Sequence, residues 1–249
     1  MVDEIEITRG EEGENGFEKV FAFLRARLLA GSLKPGDRLI PERELAAQLG
    51  VSRPMVREAL RALRGLGVLE MRGRLGAVVR RPDVSVLNDF FAFAMAQTSD
   101  LVDDVMQARI AIECQAIRLA AERATPADLE RLGAALARIA DTIHDPEAGA
   151  RSDHEFHRAL VHAAHSDTLA VLYDVMSEVL MTSHLARRRT VELAGEIRMY
   201  LIEDHKRLVQ AVMDRHAERA DRALRQHFAI GDEIRRKIAI GEMRAADPL

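Results

Sequence analysis

The sequence is poor in cysteine, in long apolar runs and in strand-forming segments. Its single cysteine, Cys114, excludes an internal disulfide and fits a reducing compartment such as the cytoplasm. The longest apolar run, residues 90–96, is far shorter than the roughly 20 residues that a membrane-spanning helix needs. Strand formers are scarce outside residues 68–80, whereas Ala, Leu, Arg and Glu dominate. These absences predict a mainly helical, cytoplasmic protein with no membrane partner.

A chain of 249 residues is long enough for two domains. Residues 1–16 are acidic and lack the apolar stretch of a signal peptide, so we expect a flexible tail there. We expect a first domain over 17–81, a linker with a connecting helix over 82–99, and an α-helical domain over 100–249.

Charge is distributed unevenly along the chain. The net charge is −5 over residues 1–16, +8 over 17–81 and −7 over the remainder, within a total of −4. Lys and Arg bind polyanions by releasing counterions from phosphates. A basic segment in an otherwise acidic chain therefore favours nucleic-acid binding by residues 17–81, although ordinary surface charge is the plainer alternative.

Residues 41–80 have the pattern of a winged helix-turn-helix. One helix begins near Pro41 and ends at Gly50, and Ser52 is placed to cap a second helix that runs to about Leu66. Two short strands, 68–71 and 77–80, then flank a turn that contains Arg72, Gly73 and Arg74. A hairpin tip with two arginines is typical of a wing that contacts phosphates or a minor groove.

The second of these helices has two distinct faces. At about 100° per residue, Arg57, Arg61 and Arg64 lie within about 80° of Arg53. The apolar residues occupy a separate arc and are Val56, Ala59, Leu60 and Leu63. The apolar stripe is expected to pack on the other helices, which leaves the arginines facing outward as a DNA-reading helix requires.

After Asp100 no strand pattern occurs. We predict helices at about 101–124, 126–144, 147–165, 168–189, 192–214 and 216–240, which indicates an all-α bundle. The predicted fold class is therefore mainly α, with an N-terminal winged helix-turn-helix, a small β-hairpin wing and an all-α C-terminal helical bundle.

Four side chains in the bundle have the chemistry of a metal site. Asp153 and His157 are four residues apart and so share one helix face, while His205 and His227 lie in the middle of two later helices. One carboxylate and three imidazoles suit Zn²⁺, Ni²⁺, Mn²⁺ or Fe²⁺, with positions left for a ligand. Hydrogen-bonded core histidines are the alternative interpretation, and we expect His154 to point away from Asp153.

The chain resembles the GntR superfamily of bacterial transcription regulators, in the FadR-like branch with a C-terminal FCD domain. The resemblance covers nearly everything after residue 16. In the first domain it rests on GDRL at 36–39, PERELA at 41–46, LGVSR at 49–53 and VREALRAL at 56–63. In the second it rests on Arg109 and Glu113, on the LAA run at 119–121, and on seven residues of three later segments. These are Asp153, Phe156, His157, Asp204, His205, Gln226 and His227.

The resemblance implies roles for single residues. The gaps of 4, 48 and 22 between Asp153, His157, His205 and His227 look like the metal-binding version of the FCD domain, with zinc as our first expectation. Pro54 departs from the polar residue common in the family, which puts a base contact from that position in doubt. The residues we assign to DNA binding are Arg43, Ser52, Arg53, Arg57, Arg72, Gly73 and Arg74.

FCD regulators generally bind small organic acids, so an acid is expected to complete the coordination of the metal. An arginine would pair with the other end of the acid, and Arg109 is the candidate. The alternative for Arg109 is a structural salt bridge to Glu113, four residues further on.

We therefore expect a homodimeric, ligand-responsive transcription factor that reads a pseudo-palindromic DNA operator, and not an enzyme. Repression is the commoner outcome in the family, so a repressor is expected. One alternative makes the metal structural, or itself the signal, with no organic effector. A remote alternative is a metal-dependent enzyme, but no second carboxylate is convincingly placed as a general base, although Glu155 and Asp204 adjoin predicted ligands.

Overall fold

The computed structural model describes residues 15–82, 84–98, 101–191 and 195–239. Almost all of the predicted acidic tail, residues 1–14, lies outside the described residues. The chain divides into two compact units, residues 1–86 and 87–249, and each is considered by itself. The predicted domain boundaries at 16, 81 and 99 remain predictions.

Within residues 15–82, the first unit forms three helices followed by a two-stranded antiparallel hairpin. A single 3₁₀ turn, Gly73–Leu75, joins the two strands, and Leu69 lies opposite Val79 in their register. The elements are α1 Gly16–Leu29, α2 Glu42–Leu49, α3 Arg53–Gly65, β1 Leu69–Arg72 and β2 Gly76–Val79.

Apolar periodicity explains how the first unit packs. The predicted apolar stripe of α3 is buried against α1 and α2 in one core, which also includes Val20, Leu24 and Leu45. Gly50 ends α2 in the left-handed conformation, with φ of 64°, and so allows the tight turn into α3. Ser52 occupies the N-cap position of α3, but its side chain makes no capping hydrogen bond.

The hairpin is anchored to the loop that precedes α2. The Leu39 amide donates to the Ala77 carbonyl at 2.9 Å, and the Val79 amide donates to the Asp37 carbonyl at 2.8 Å. Because β2 is thus paired on both edges, the wing is fixed to the helical core of its unit.

The remainder of the described chain is entirely helical. No strand occurs among the described residues after Val79, as predicted. The helices are α4 Ser85–Met95, α5 Leu101–Arg123, α6 Pro126–Asp141, α7 Pro146–His162, α8 Asp167–Val175, α9 Ser177–Val191, α10 Gly195–Met213 and α11 Ala217–Ala239.

The prediction of a single helix over 168–189 was wrong. The segment forms two helices, α8 and α9, separated at Met176. Neither Gly nor Pro marks this break in the sequence. Side chains on both sides of it are held by other helices: Tyr173 is fully buried, and the Ser177 hydroxyl lies 2.9 Å from His154 Nε2. Tertiary packing thus decides where this segment bends.

Helices α5 and α7 lie at the centre of the bundle. Helix α5 contacts α7, α9, α10 and α11, while α7 contacts α6, α8 and α9 as well. Ile117, Leu132, Phe156, Leu208 and Leu224 are fully buried in the core that these helices share. None of the described helices combines the length and the hydropathy needed to cross a bilayer.

Candidate functional site

Three imidazoles converge in the interior of the helical bundle. His157 comes from α7, His205 from α10 and His227 from α11, and one ring nitrogen of each lies within 4.8 Å of the other two. All three residues are buried. Spacing alone could suggest this grouping, but only the packing of α7, α10 and α11 brings residues 70 positions apart into one cluster.

The Nδ1 atom of each imidazole is held by a fixed partner. His157 Nδ1 lies 2.6 Å from Glu113 Oε2, and His227 Nδ1 lies 2.7 Å from Asp204 Oδ2. His205 Nδ1 lies 2.7 Å from the Leu201 carbonyl, which can only accept. A neutral imidazole that donates through Nδ1 keeps a lone pair on Nε2. Each ring therefore presents an unprotonated Nε2 to the cluster.

Asp153 adds a carboxylate oxygen to the same point. Its Oδ1 lies 2.9 Å from His205 Nε2 and 3.9 Å from His157 Nε2. The first distance is short, but the two atoms lack the angular geometry of a hydrogen bond, since Oδ1 and Nε2 are both without a partner in the described chain. They are better described as two atoms aimed at a common centre.

The residues present fit a divalent metal ion. The buried atoms His157 Nε2, His205 Nε2 and Asp153 Oδ1 have no hydrogen-bond partner among the described residues. Buried polar atoms in native proteins are nearly always satisfied, so orphans that converge indicate an unfilled bonding requirement. Three imidazole nitrogens and one carboxylate oxygen are donors that first-row divalent ions accept.

Burial keeps His157 and His227 neutral. It lowers the pKa of His227 to about 4, although the carboxylate of Asp204 opposes the shift. Burial and the nearby Arg109 guanidinium lower the pKa of His157 well below its usual range. Burial by itself would raise the pKa of Asp153, but the charge of Arg188 holds this pKa well below its ordinary value. The Asp153 carboxylate is therefore favoured in its ionised form. The cluster is thus poised to donate lone pairs near neutral pH.

In the first unit, the predicted DNA-contacting side chains are exposed. Arg43, Ser52, Arg53 and Arg57 all face solvent at the start of α2 and α3, on the side opposite the buried stripe. Arg57 Nε donates to Glu42 Oε2 at 2.9 Å. That bond occupies Nε and leaves both terminal nitrogens of the guanidinium for an external acceptor pair.

The wing carries further exposed groups. Gly73 begins the 3₁₀ turn with φ of 37°, a backbone conformation that favours glycine. Arg72 is exposed and donates to Glu70 Oε1 at 2.5 Å. The side chain of Arg74 lies outside the described part of the structure.

Each of the two units contains a region that matches a known protein family. Residues 17–79 match "Bacterial regulatory proteins, gntR family", and residues 104–229 match "FCD domain". The chain belongs to the GntR family of bacterial regulatory proteins. It is a DNA-binding transcription regulator with an FCD domain, rather than an enzyme, and the resemblance inferred from the sequence is confirmed. The imidazole cluster lies within the FCD domain.

Curated relatives share most of this chain. "HTH-type transcriptional regulator LutR" of Bacillus subtilis (strain 168) is 30% identical over 82% of this chain and 94% of that protein. "Putative L-lactate dehydrogenase operon regulatory protein" of Escherichia coli (strain K12) is 33% identical over 83% of this chain and 81% of its own. Among solved structures, Streptococcus agalactiae GntR has a TM-score of 0.65 at 23% identity, covering 87% of this chain and 99% of that one, which shows a shared fold.

The predicted effector residue of this GntR-family chain, Arg109, is 1% exposed and is bound to Glu113 through Nε at 2.5 Å. The structural salt bridge considered from the sequence is therefore present. The Nη2 atom of Arg109, however, has no hydrogen-bond partner among the described residues, and its guanidinium lies 5.0 Å from the centre of the Phe228 ring. One donor of Arg109 is thus still free to bind a ligand.

Sequence reasoning missed the residues that orient the imidazoles. Glu113 accepts from both Arg109 and His157, so one carboxylate links the salt bridge to the cluster. Asp204 precedes His205 in the chain but supports His227 on the neighbouring helix. Adjacent acidic residues were visible in the sequence, yet nothing in their spacing indicated which imidazole each one would orient.

Two residues of α9 that contact Asp153 were not predicted from the sequence to belong to the site. His184 is fully buried and its Nδ1 lies 2.7 Å from Asp153 Oδ2. Arg188 is 6% exposed, and its Nη2 lies 3.5 Å from Asp153 Oδ1. His154 points away from the cluster, as expected, and contacts Ser177.

Proposed function

We propose that this regulator binds a divalent metal ion, with zinc as first expectation, in the FCD domain. Asp153, His157, His205 and His227 would hold the ion. The supporting observation is that three buried imidazoles keep Nε2 unprotonated and that two of these atoms, with Asp153 Oδ1, have no hydrogen-bond partner among the described residues. A bound ion would supply a Lewis-acidic attachment point for a carboxylate.

We further propose a small organic acid as the effector. An acid attached at the metal centre lies next to buried guanidinium groups, and Arg109 Nη2 is one unoccupied donor beside it. The Escherichia coli relative is named as a putative regulator of an L-lactate dehydrogenase operon, and lactate is a small acid of the proposed kind. A carboxylate that meets both a metal ion and a guanidinium gains two strong, directional contacts.

We propose that the exposed residues of α2, α3 and the wing contact the operator DNA. Arginine is the best bidentate donor to guanine O6 and N7, and Arg57 has both terminal nitrogens available. The proposed contact residues are Arg43, Ser52, Arg53, Arg57, Arg72, Gly73 and Arg74. A homodimer would place two α3 helices on a pseudo-palindromic operator. Binding there would repress transcription of the genes that the operator controls.

The test uses the full chain, first stripped of metal and then loaded with Zn²⁺. An operator is selected from random DNA duplexes, and binding is measured by fluorescence anisotropy with and without organic acids. We expect an acid to weaken operator binding by about 5–150-fold, which corresponds to typical coupling free energies of 1–3 kcal/mol. The same acid should leave the His157→Ala variant unaffected.

A thermal-shift screen gives an independent readout of acid binding. An acid at a hundred times its Kd stabilises the native state by about 2.7 kcal/mol. In one outcome, zinc alone changes operator binding at micromolar concentrations, and no acid stabilises the zinc-loaded chain. That pair of results contradicts the hypothesis of an acid effector and supports a metal-sensing regulator. Full metal content in His157→Ala contradicts the metal site itself.

A further inference from the structure

The arginines of α3 form an exposed face that has few partners within its own unit. We call Arg53, Arg57, Arg61 and Arg64 the arginine face, and all four side chains are exposed. Arg57 is bonded to Glu42, whereas no hydrogen bond or ion pair joins the other three to a described residue. Like charges that lie one turn apart on a helix repel each other. The arginine face therefore favours an anionic partner even when no DNA is bound.

The start of the same chain carries the complementary charge. The acidic segment, residues 1–14, contains six acids and one arginine, which gives a net charge of −5, while residues 17–81 carry +8. Charged blocks at the end of a chain are often interaction tails. Carboxylates bind guanidinium groups through the same paired hydrogen bonds as phosphates do. The acidic segment thus has the chemistry to occupy the surface that DNA would occupy.

The acidic segment joins the described chain beside the start of α3. Gly16, the first residue of α1, packs closely on α3: an added Cβ would overlap the sulfur of Met55 and would lie 3.3 Å from Cγ1 of Val51. Met55 belongs to the first turn of α3, which also carries Arg53. The segment is therefore attached next to the end of the helix that we assign to the DNA groove.

The length of the acidic segment allows it to reach the whole arginine face. Its fourteen residues can span up to roughly 46 Å. The thirteen residues of α3 extend only about 20 Å along the helix axis, and a helix is about 10–12 Å wide. Exposed charges interact over about 10 Å in about 0.1 M salt, so attachment beside α3 keeps these carboxylates within range. Such a short connection gives an effective concentration on the order of millimolar.

We propose that the acidic segment, residues 1–14, binds the arginine face of α3 when no DNA is present and competes with DNA for that face. This inference goes beyond the proposed function but rests on its assignment of α3 to the operator. A single exposed ion pair is weak, so several together hold the segment. DNA displaces it because the phosphates of a duplex are denser and release condensed counterions. The segment therefore lowers the affinity of the regulator for DNA.

The first experiment neutralises the acidic segment in the full chain. Fluorescence anisotropy measures the Kd for the selected operator in about 0.1 M salt and at higher salt. A contact whose own Kd equals the effective concentration, or is up to tenfold lower, weakens DNA binding by about 2–10-fold. We expect neutralisation to lower the Kd by that factor, and the gain to shrink as salt screens the contact. The six substitutions are Asp3→Asn, Glu4→Gln, Glu6→Gln, Glu11→Gln, Glu12→Gln and Glu14→Gln.

The matched control changes the net charge equally at a different place. It removes six exposed carboxylates of the helical bundle that form no ion pair with a described residue. We expect this control to change the operator Kd by less than about twofold, because charges more than a Debye length from the DNA are screened. A gain as large as that of the neutralised segment assigns the effect to net charge and overturns the proposal. The control substitutions are Asp104→Asn, Glu122→Gln, Glu130→Gln, Asp141→Asn, Asp167→Asn and Glu178→Gln.

A spin label distinguishes binding of the arginine face from simple repulsion of DNA by the segment. Cys114 is 2% exposed and burial raises the pKa of its thiol to about 11, so a nitroxide reacts selectively with Thr8→Cys. We expect the EPR spectrum of the DNA-free protein to contain a slowly tumbling component. Operator DNA should remove this component, and so should the combined substitutions Arg53→Gln, Arg61→Gln and Arg64→Gln.

The results separate this proposal from the assignment of α3 to DNA. A lower Kd of the neutralised chain without a slow component at position 8 means that the segment only repels DNA, and it overturns the proposal. A slow component that survives operator DNA or the loss of the three arginines overturns it as well. An unchanged Kd of the neutralised chain removes the competition alone, provided that Arg57→Ala weakens operator binding. Wild-type binding by Arg57→Ala contradicts the assignment of α3 itself.

Discussion

The two units of this protein use charge in opposite ways. In the winged helix-turn-helix, apolar side chains form the interior and the arginines of α3 face solvent. In the FCD domain, charged and polar side chains themselves lie in the interior: Arg109, Glu113 and His157 are each at most 1% exposed. The first unit presents its functional groups outward to a polyanion, while the second encloses them.

The contrast shows what each arrangement demands of the rest of the fold. An exposed arginine needs only a rigid helix beneath it, because water satisfies its donors until DNA arrives. A buried imidazole needs a defined partner on every polar atom, because desolvation is otherwise uncompensated. Glu113, Asp204 and the Leu201 carbonyl meet that need on one side of the rings, and the proposed metal ion would bind on the opposite side.

The largest expected difference between the units concerns metal affinity. His157→Ala removes one of four proposed ligands and leaves Glu113 buried beside Arg109 alone. We expect the affinity for Zn²⁺ to fall by more than about 100-fold, since loss of an outer partner alone costs about 10–100-fold. Metal content by mass spectrometry and chelator competition measure the change. The control His162→Ala should bind Zn²⁺ as the wild type does.

The second largest effect is expected at low pH, which should destabilise the domain that encloses the imidazoles. The pKa of His227 is about 4 in the folded chain and near 6.5 in the unfolded chain, so only the unfolded state gains a proton between these values. The free energy of unfolding of the metal-free protein should therefore fall as pH drops from 6.5 to 4, by about 3 kcal/mol from this group. Urea unfolding at several pH values measures the slope.

The comparison for this pH dependence is a His227→Gln variant. It removes the titrating ring, so its unfolding free energy should depend less steeply on pH over the same window. An identical slope in both proteins assigns the pH dependence to other groups.

Arg57→Ala tests the exposed surface. A bidentate arginine–guanine contact contributes about 1–3 kcal/mol, so we expect operator affinity to fall by about 5–150-fold. Arg57→Lys should retain binding to random DNA but lose discrimination at one base position. Fluorescence anisotropy at constant salt measures both. The exposed Arg222 of α11 supplies the control, and Arg222→Ala should keep operator affinity, while metal content stays constant throughout.

The smallest expected effects are the changes in stability when a glycine of each unit is replaced by alanine. Gly50 has φ of +64° and no neighbour within 4 Å of an added Cβ, so Gly50→Ala should cost about 1 kcal/mol from backbone strain alone. Gly133 lies within α6 with equally open space, and Gly133→Ala should instead stabilise by about 0.5–1 kcal/mol. Thermal unfolding should show opposite signs, and a stabilised Gly50→Ala contradicts the assigned turn.

Much of the fold could be predicted from local pattern. The stripe of Val56, Ala59, Leu60 and Leu63 recurs at helical spacing and is buried as predicted. The division of 168–189 into two helices could not be predicted, because Met176 carries no helix-breaking signal and the bend depends on side chains from other helices. Local periodicity reports which face is apolar, but not which neighbour covers it.

The candidate site likewise has contacts that could be predicted from the sequence and contacts that could not. Asp153 and His157 share a helix, so their proximity followed from a spacing of four residues. The roles of His184 and Arg188 did not follow from any spacing, because both act on Asp153 from a different helix. Contacts within one helix are set by its geometry, whereas contacts between helices depend on how side chains interlock across an interface.

Residue types and their spacing are enough to predict a basic helix-turn-helix and a helical domain whose side chains have metal-binding chemistry. Those conclusions depend on residue type, order and helical period, which are properties of the chain alone. Packing settles which nitrogen of His157 and His227 is free, because the acceptors of their Nδ1 protons, Glu113 and Asp204, lie on other helices. His205 instead donates to the Leu201 carbonyl of its own helix. Only the tertiary structure decided that His184 and Arg188 adjoin Asp153, since burial commits every polar atom to its spatial neighbours.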